Sequence, residues 1–108
     1  MTKQTLEELY DLAYQRHVQP IPEAYTSYLY AQGQDKILKK VGEEATEVIL
    51  GAKNNREELI YETADLFFHL MVLLVSTGVS LAEIEAELGA RVGQQSRLHE
   101  RQNWRGEA

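Results

Sequence analysis

Two pairs of acidic residues with the same spacing occur close together in this sequence. The first pair is Glu44 and Glu47, and the second is Glu62 and Asp65. Residues three apart on an α-helix lie on one face, so each pair would direct two carboxylates the same way. Glu44 and Glu62 each fall within a run of apolar residues that has helical spacing. A carboxylate directed toward a core is costly unless a positive charge compensates it.

A divalent cation is one form of compensation. Four carboxylates on two adjacent helices would repel one another, and hard cations such as Mg²⁺ prefer oxygen ligands. Mn²⁺ accepts a similar set. The competing interpretation is a solvent-exposed face, because Lys40 could form ordinary helix ion pairs with Glu43 and Glu44. A di-iron bundle would require Glu-x-x-His pairs, which this sequence lacks. The spacing alone leaves the metal site and the exposed face both open.

His69 follows Asp65 by one helical turn. A single histidine on a buried helix is more often a hydrogen-bonded core residue than a metal ligand. We interpret His69 as a partner that orients Asp65 and not as a ligand itself.

The acid pairs need helices to position them, and the local signals for two long helices are present. Residues 36–53 and 56–77 have helical periodicity and carry one acid pair each. Asp35 and Asn55 are the predicted N-caps, and Gly78 is the predicted end of the second helix. The stretch around residues 66–75 is apolar on nearly every face, which predicts a helix central in its bundle or covered by a second copy of the chain.

Shorter elements flank these two helices. A capping box at residues 5–8 predicts a first helix that ends near His17, before two prolines. Residues 24–30 fit a short helix or an ordered loop equally well. A second capping box at residues 80–83 predicts a fourth main helix, and residues 94–108 form a polar tail or a helix extension. We therefore predict one all-α domain over residues 1–108, a bundle of four to five helices completed by dimerisation.

Composition limits the classes of function. The chain has 108 residues, 44% hydrophobic and 26% charged, which suits a single globular domain. Its formal net charge of -6 argues against non-specific nucleic-acid binding. The absence of cysteine excludes disulfides and thiolate metal sites. The N-terminus lacks the apolar run of a signal peptide, and the longest apolar run, residues 70–75, is far shorter than the ~20 residues of a membrane span. We expect a cytoplasmic protein with no membrane or nucleic-acid partner.

The residues around the acid pairs resemble a known superfamily. The order E-x-x-E followed by E-x-x-D is similar to the signature of the all-α nucleoside triphosphate pyrophosphohydrolases, the MazG-like superfamily. Residues 36–47 (K-I-L-K-K-V-G-E-E-A-x-E), 64–70 (A-D-L-x-x-H-L) and 25–29 (Y-T-x-x-L) resemble the phosphoribosyl-ATP pyrophosphohydrolase family of histidine biosynthesis. The resemblance extends over residues 25–91. One departure is Ala24, where the family usually has serine.

The resemblance implies a reaction, a cofactor and residue roles. The reaction is Mg²⁺-dependent hydrolysis of phosphoribosyl-ATP, a small-molecule nucleotide, to phosphoribosyl-AMP and pyrophosphate, with Mn²⁺ as a possible substitute. The implied metal ligands are Glu44, Glu47, Glu62 and Asp65. Glu43 and Glu44 are the catalytic candidates, with Glu43 as an outer ligand or the base that orients water. The substrate-binding candidates are Tyr25 and Thr26 for the base or ribose, and Lys36, Lys39, Lys40 and Arg91 for phosphate oxygens.

Two other functions remain open at this point. The same fold and metal site could serve a house-cleaning pyrophosphohydrolase of noncanonical or pyrimidine nucleoside triphosphates. The chain could instead be a non-catalytic helical dimerisation module whose acids are merely exposed. Some members of the family are fused to a cyclohydrolase that uses cysteine-bound zinc, and a chain of this length without cysteine is expected to be the stand-alone enzyme.

Overall fold

The computed structural model describes residues 2–94. This part of the chain forms five α-helices and contains no β-strand. The helices are α1 (Leu6–Val18), α2 (Tyr25–Gln32), α3 (Gln34–Asn54), α4 (Arg56–Thr77) and α5 (Leu81–Ala90). The all-α prediction of four to five helices is confirmed, and residues 24–30, left undecided by their pattern, belong mostly to α2. The predicted tail lies outside the described residues, apart from Gln94.

Local capping signals determine where several helices begin. At the start of α1 the Glu8 N–H donates to Thr5 Oγ1 over 3.1 Å, and the Thr5 N–H donates to Glu8 Oε1 over 2.8 Å. At the start of α5 the Glu83 N–H donates to Ser80 Oγ over 3.1 Å. Each bond satisfies a backbone group that the helix itself leaves without a partner, so these starts agree with the predicted ones.

The predicted N-cap of α3 is wrong. Gly33, with φ of 98°, ends α2 and is also the N-cap of α3, so α3 begins at Gln34 and Asp35 lies in its first turn. A positive φ strains residues that have a side chain, and glycine adopts it freely. Asp35 still favours the helix, because a negative charge in the first turn complements the helix dipole.

The α3–α4 hairpin is the centre of the fold and has the most extensive contact between any two described helices. A single residue, Asn55, separates the two helices, which forces them to run antiparallel. Asn55 Oδ1 accepts the Glu58 N–H over 2.9 Å, as predicted for an N-cap. Gly51 allows the close approach near the turn, since a Cβ at this position would lie 3.1 Å from the Glu58 carbonyl oxygen.

The core lies among the first four helices. Its buried apolar residues are Ala13, Leu29, Ile37, Met71, Val72 and Val75. Gly78 ends α4 in a left-handed conformation (φ 76°), as predicted. The Tyr10 hydroxyl then donates to the Val79 carbonyl oxygen over 2.8 Å, which fixes α1 to the segment after α4. None of the residues of α5 is fully buried, and Leu81 at its start is partly buried against the core, while Ile84 and Leu88 remain exposed.

Large apolar side chains remain exposed on the hairpin. Ile49 on α3 and Ile60, Tyr61 and Phe67 on α4 are among them. Alone among the described helices, α4 could also cross a membrane on length and composition. Core helices of bundles share that property, and α4 packs against both α3 and α1. The absence of a membrane partner therefore stays a prediction.

Two glycines of α3 provide a matched test of the close α3–α4 approach. Gly42→Ala adds a methyl group in open space and should stabilise the protein by about 1 kcal/mol through helix propensity. Gly51→Ala gains the same propensity, but its methyl group pushes against the backbone of α4. We expect Gly42→Ala to raise the midpoint of thermal unfolding and Gly51→Ala to lower it. Equal increases would show that the hairpin is looser than described.

Candidate metal centre

The α3–α4 hairpin brings the two acid pairs to the same level. Glu47 lies eight residues before Asn55 and Glu62 seven residues after it, while Glu44 lies eleven before and Asp65 ten after. Both helices rise by about 1.5 Å per residue, so Glu47 lies at about the same height along the hairpin as Glu62, and Glu44 at about the same height as Asp65. Glu44 is buried with 7% of its surface exposed. Glu62 and Asp65 are partly buried, whereas Glu47 is exposed.

Three of the side chains here have geometry suited to a cation. One potential ligand atom from each of Glu44, Asp65 and His69 lies within 4.8 Å of the other two. Glu44 and Asp65 are among the ligands implied by the resemblance, and His69 is not. The placement of His69 beside them was suggested by its position one turn after Asp65.

The remaining carboxylates share the electrostatic environment of this cluster. Partial burial raises the pKa of Glu62, and the negative charges of Glu47, Glu44 and Asp65 raise it further. A carboxyl group responds in this way when like charges lie nearby. All four acids of the two pairs therefore belong to one region of negative potential. Its donor set of carboxylate oxygens fits a hard divalent cation.

Lys40 supplies part of the compensating charge. Its Nζ lies 3.4 Å from Glu44 Oε1 and 3.5 Å from Glu43 Oε1, which are the ion pairs expected from helical spacing. Desolvation alone would lower the pKa of Lys40, but the negative groups around it, including Glu44, raise it overall. Lys40 therefore stays charged. One ammonium group cannot balance four carboxylates, so the ion pairs of Lys40 leave much of the negative charge of the cluster uncompensated.

Tyr25 connects α2 to this cluster. Its hydroxyl lies 3.0 Å from His69 Nε2, and His69 Nδ1 lies 2.8 Å from the Asp65 carbonyl oxygen and 3.5 Å from Asp65 Oδ1. Desolvation raises the pKa of Tyr25, Lys40 opposes that effect, and Asp65 and Glu44 add to it. The sequence suggested the contact between His69 and Asp65. It gave no signal for the bond to Tyr25, which lies 44 residues away.

Residue 24, where this sequence has alanine, lies at the start of α2. Ala24 occupies the N-cap of α2 and makes no side-chain hydrogen bond there. Serine is among the best N-cap residues because its hydroxyl accepts a backbone N–H of the first turn. A serine at this position could supply the cap that alanine lacks at the start of the helix that carries Tyr25 and Thr26.

The other predicted substrate-binding residues lie on α3, which carries the first acid pair, and after α5, which does not. Lys36 is partly buried one turn before Lys40 on α3, and Lys39 is exposed. Arg91 follows α5, where its Nε lies 2.9 Å from Glu87 Oε2. Within residues 2–94 no hydrogen bond or ion pair joins Arg91 to the helices of the cluster. The role of Arg91 in substrate binding stays a prediction.

The fold is an all-α bundle in which two antiparallel helices bring carboxylates together. Bundles of this class are suited to hold a divalent cation. A family model described as phosphoribosyl-ATP pyrophosphohydrolase matches residues 6–92 of this chain. The chain therefore belongs to the phosphoribosyl-ATP pyrophosphohydrolase family, a family of hydrolases, which confirms the resemblance seen in the sequence.

Curated relatives agree with this assignment. A phosphoribosyl-ATP pyrophosphatase of Leuconostoc mesenteroides subsp. mesenteroides is 66% identical over 107 residues, covering 99% of this chain and 94% of that protein. The protein of the same name from Streptococcus gordonii is 60% identical, over 89% of this chain and 93% of its own length. That from Lactiplantibacillus plantarum is 54% identical, over 91% and 93%.

Substitution of Glu62 tests the repulsion in the cluster. The pKa of the Glu62 carboxyl group is raised above its ordinary value of 4.5, so the folded state binds the carboxyl proton more tightly than the unfolded state does. The folded protein therefore loses stability as the pH rises from 4.5 through the raised value. Above that range, Glu62→Gln should raise the unfolding midpoint of protein treated with EDTA, and below pH 4.5 the two proteins should converge. The same variant should show a smaller increase on addition of Mg²⁺.

Glu57→Gln is the matched control on the same helix. Glu57 is exposed in the first turn of α4, where its negative charge favours the helix dipole. This variant should leave stability unchanged or slightly lower it. A stabilisation by Glu57→Gln equal to that by Glu62→Gln would mean that the effect comes from net charge and not from the cluster.

Proposed function

We propose that this chain hydrolyses the α–β phosphoanhydride of phosphoribosyl-ATP, producing phosphoribosyl-AMP and pyrophosphate in the second step of histidine biosynthesis. The observation that carries the proposal is the family match over residues 6–92, which contains both acid pairs of the α3–α4 hairpin. The burial of Glu44 within a group of carboxylates gives that match a chemical reason. The proposal places the enzyme in the cytoplasm, and a chain without cysteine is compatible with a reducing compartment.

The proposed metal ligands are Glu44 and Glu47 of α3 with Glu62 and Asp65 of α4. Carboxylate oxygens suit Mg²⁺, and Mn²⁺ is expected to substitute. When bound, the cation would neutralise charge on the phosphate oxygens and activate the attacking water. Two observations support this set: the cluster of Glu44 with Asp65, and the raised pKa of Glu62 among its acidic neighbours.

The proton of the attacking water needs an acceptor. Glu43 is the proposed base. Its carboxylate is half exposed, and the residue lies one helical turn after Lys40 on α3. Glu44 is the alternative base, although its side chain is buried and already forms an ion pair with Lys40. Transfer of the proton to Glu43 would leave the hydroxyl oxygen to bond to phosphorus, while the bridging anhydride oxygen leaves with pyrophosphate.

The negative pyrophosphate leaving group needs cations, and the nucleoside of the substrate needs a binding surface. Lys40 is the best placed cation, because it already lies against Glu44 at the cluster. Lys36 and Lys39 precede it on α3 and would extend the phosphate site. The base or ribose would meet Tyr25 and Thr26 at the start of α2. Arg91 would add a phosphate contact from the end of α5.

Pyrophosphate release tests the proposed reaction. Wild-type protein should hydrolyse phosphoribosyl-ATP in the presence of Mg²⁺ and stop when EDTA is added. Glu44→Gln should lower kcat/KM by about 100-fold or more, because it removes a charge that both ligation and proton transfer would use. Glu85→Gln, an exposed acid of α5, is the control and should keep wild-type activity.

Competing substrates make the same assay selective. ATP and dCTP should be poor substrates if the chain acts on phosphoribosyl-ATP. Efficient turnover of dCTP in place of phosphoribosyl-ATP would indicate a house-cleaning pyrophosphohydrolase. No metal-dependent release from any of the three would contradict enzymatic function and leave the dimerisation module.

We also propose that the chain forms a homodimer through the apolar surface of the hairpin. Ile49, Ile60 and Tyr61 are each more than half exposed, which is unfavourable for large apolar side chains grouped on two packed helices. Sedimentation at micromolar concentration should give a dimer. Ile60→Glu should shift the protein toward monomer, whereas Val18→Glu, a similar change on exposed α1 surface, should not. A wild-type monomer under these conditions would refute the dimer.

A further inference from the structure

His69 is the most deeply buried ionisable side chain of the described site, with 2% of its surface exposed. Both of its ring nitrogens have partners. Nδ1 meets the Asp65 carbonyl oxygen at 2.8 Å, and Nε2 meets the Tyr25 hydroxyl at 3.0 Å. Aromatic rings pack edge-on against the imidazole, with centroid distances of 4.9 Å for Phe68 and 5.7 Å for Tyr25. The imidazole therefore has a fixed position.

The chemistry of these partners fixes the direction of the first hydrogen bond and, for a neutral imidazole, that of the second. A backbone carbonyl oxygen only accepts, so Nδ1 must carry the proton. In a neutral imidazole Nε2 then has the lone pair and accepts the hydrogen of the Tyr25 hydroxyl. The backbone of Asp65 thus selects the tautomer, and the tautomer in turn orients Tyr25.

This connection matters most at the start of α2. That helix has eight residues, and its N-cap, Ala24, provides no side-chain hydrogen bond. Two other contacts hold this end: the Ile21 N–H donates to Ser27 Oγ over 3.0 Å, and Tyr25 bonds to His69. Of these two hydrogen bonds, the second joins α2 to the helix that carries Glu62 and Asp65, and the ring of Tyr25 stacks on Phe68 of the same helix at 6.0 Å.

We propose that His69 is a positioning residue that couples Tyr25 to Asp65, and that it holds the nucleoside-binding end of α2 over the carboxylates without binding the metal itself. This inference rests on the proposed function. The rival assignment makes His69 a third ligand beside Glu44 and Asp65, as their spacing allows. That assignment requires a ring nitrogen to give up one of the two hydrogen bonds described above.

The tautomer provides a test that needs no activity. Long-range ¹H–¹⁵N spectra of the full chain distinguish histidine tautomers, and the signals of His69 are identified as those missing from His69→Asn. We expect His69 in the Nδ1–H form, both without metal and with Mg²⁺. An Nε2–H form, or a change of the Nε2 shift on addition of Mg²⁺ that is typical of ligation, would overturn the proposal.

Three variants separate the two roles in binding and kinetics. Tyr25→Phe keeps the ring packing and removes only the hydroxyl. His69→Asn keeps an N–H near the place of Nδ1 and loses the contact with Tyr25. The double variant combines both changes. A matched control is Tyr28→Phe, because Tyr28 is exposed on the same helix and stacks on Tyr25 at 6.1 Å.

For a positioning role, each single variant should lower kcat/KM for phosphoribosyl-ATP by about 10-fold to 100-fold. The double variant should be no worse than either one, since both break the same connection. Mn²⁺ affinity, measured by titration without substrate, should change by less than about threefold, because Asp65 stays held. Tyr28→Phe should match wild type in every measurement.

The opposite outcomes are equally specific. Loss of Mn²⁺ affinity by tenfold or more in His69→Asn would overturn the proposal, because His69 would then support metal binding itself, as a ligand or through Asp65. Wild-type kinetics for Tyr25→Phe would contradict the proposed coupling of Tyr25 to Asp65 through His69. This conservative variant is informative even if His69→Asn fails to fold. If wild-type protein releases no pyrophosphate from phosphoribosyl-ATP, the proposed function fails. The tautomer and the Mn²⁺ titration then still decide the role of His69.

Discussion

Electrostatic repulsion between the carboxylates of α3 and α4 is the constraint on which the rest of this structure depends. The hairpin is tight, with one connecting residue and a close approach at Gly51, so the acids on its two arms cannot separate. Glu44 is buried, and among residues 2–94 Lys40 alone forms an ion pair with it. Like charges held together in this way lower stability, and functional centres often carry such a cost. A divalent cation is the compensation that fits an all-oxygen set.

The same hairpin also holds the start of α2. Its buried face packs against α1 and α2, and α2 contributes Tyr25 at its first residue. The contact of Tyr25 with His69 connects this short helix to α4, and Lys40 lies close enough to influence both Tyr25 and Glu44. The hydrogen bond of Tyr25 to His69 and the stacking of its ring on Phe68 thus place the start of α2 next to the carboxylates of α4. Residues farther along the chain, such as Arg91, have no comparable connection within the described part.

Much of the fold was predictable because its signals are local. The capping residues Thr5, Asn55 and Ser80 act on backbone groups three residues away, and Gly78 adopts its own conformation, so sequence patterns report them directly. Asp35 failed as a cap because Gly33 already ends α2 and begins α3, a double role that residue type alone does not reveal. The site was predictable where helical spacing controls it, as for Lys40 and Glu44. The bond between Tyr25 and His69 depends on how α2 packs on α4, and no local pattern encodes that.

The most direct test of the central claim is an anomalous difference map from a crystal of this protein soaked in Mn²⁺. The account predicts a peak between α3 and α4, bound by carboxylate oxygens of Glu44, Glu47, Glu62 and Asp65 at the short distances of hard cations, about 2.0–2.2 Å. His69 should keep both of its hydrogen bonds beside that peak. A map with no peak at the hairpin, or with a peak bound by His69 and not by the two acid pairs, would contradict the account.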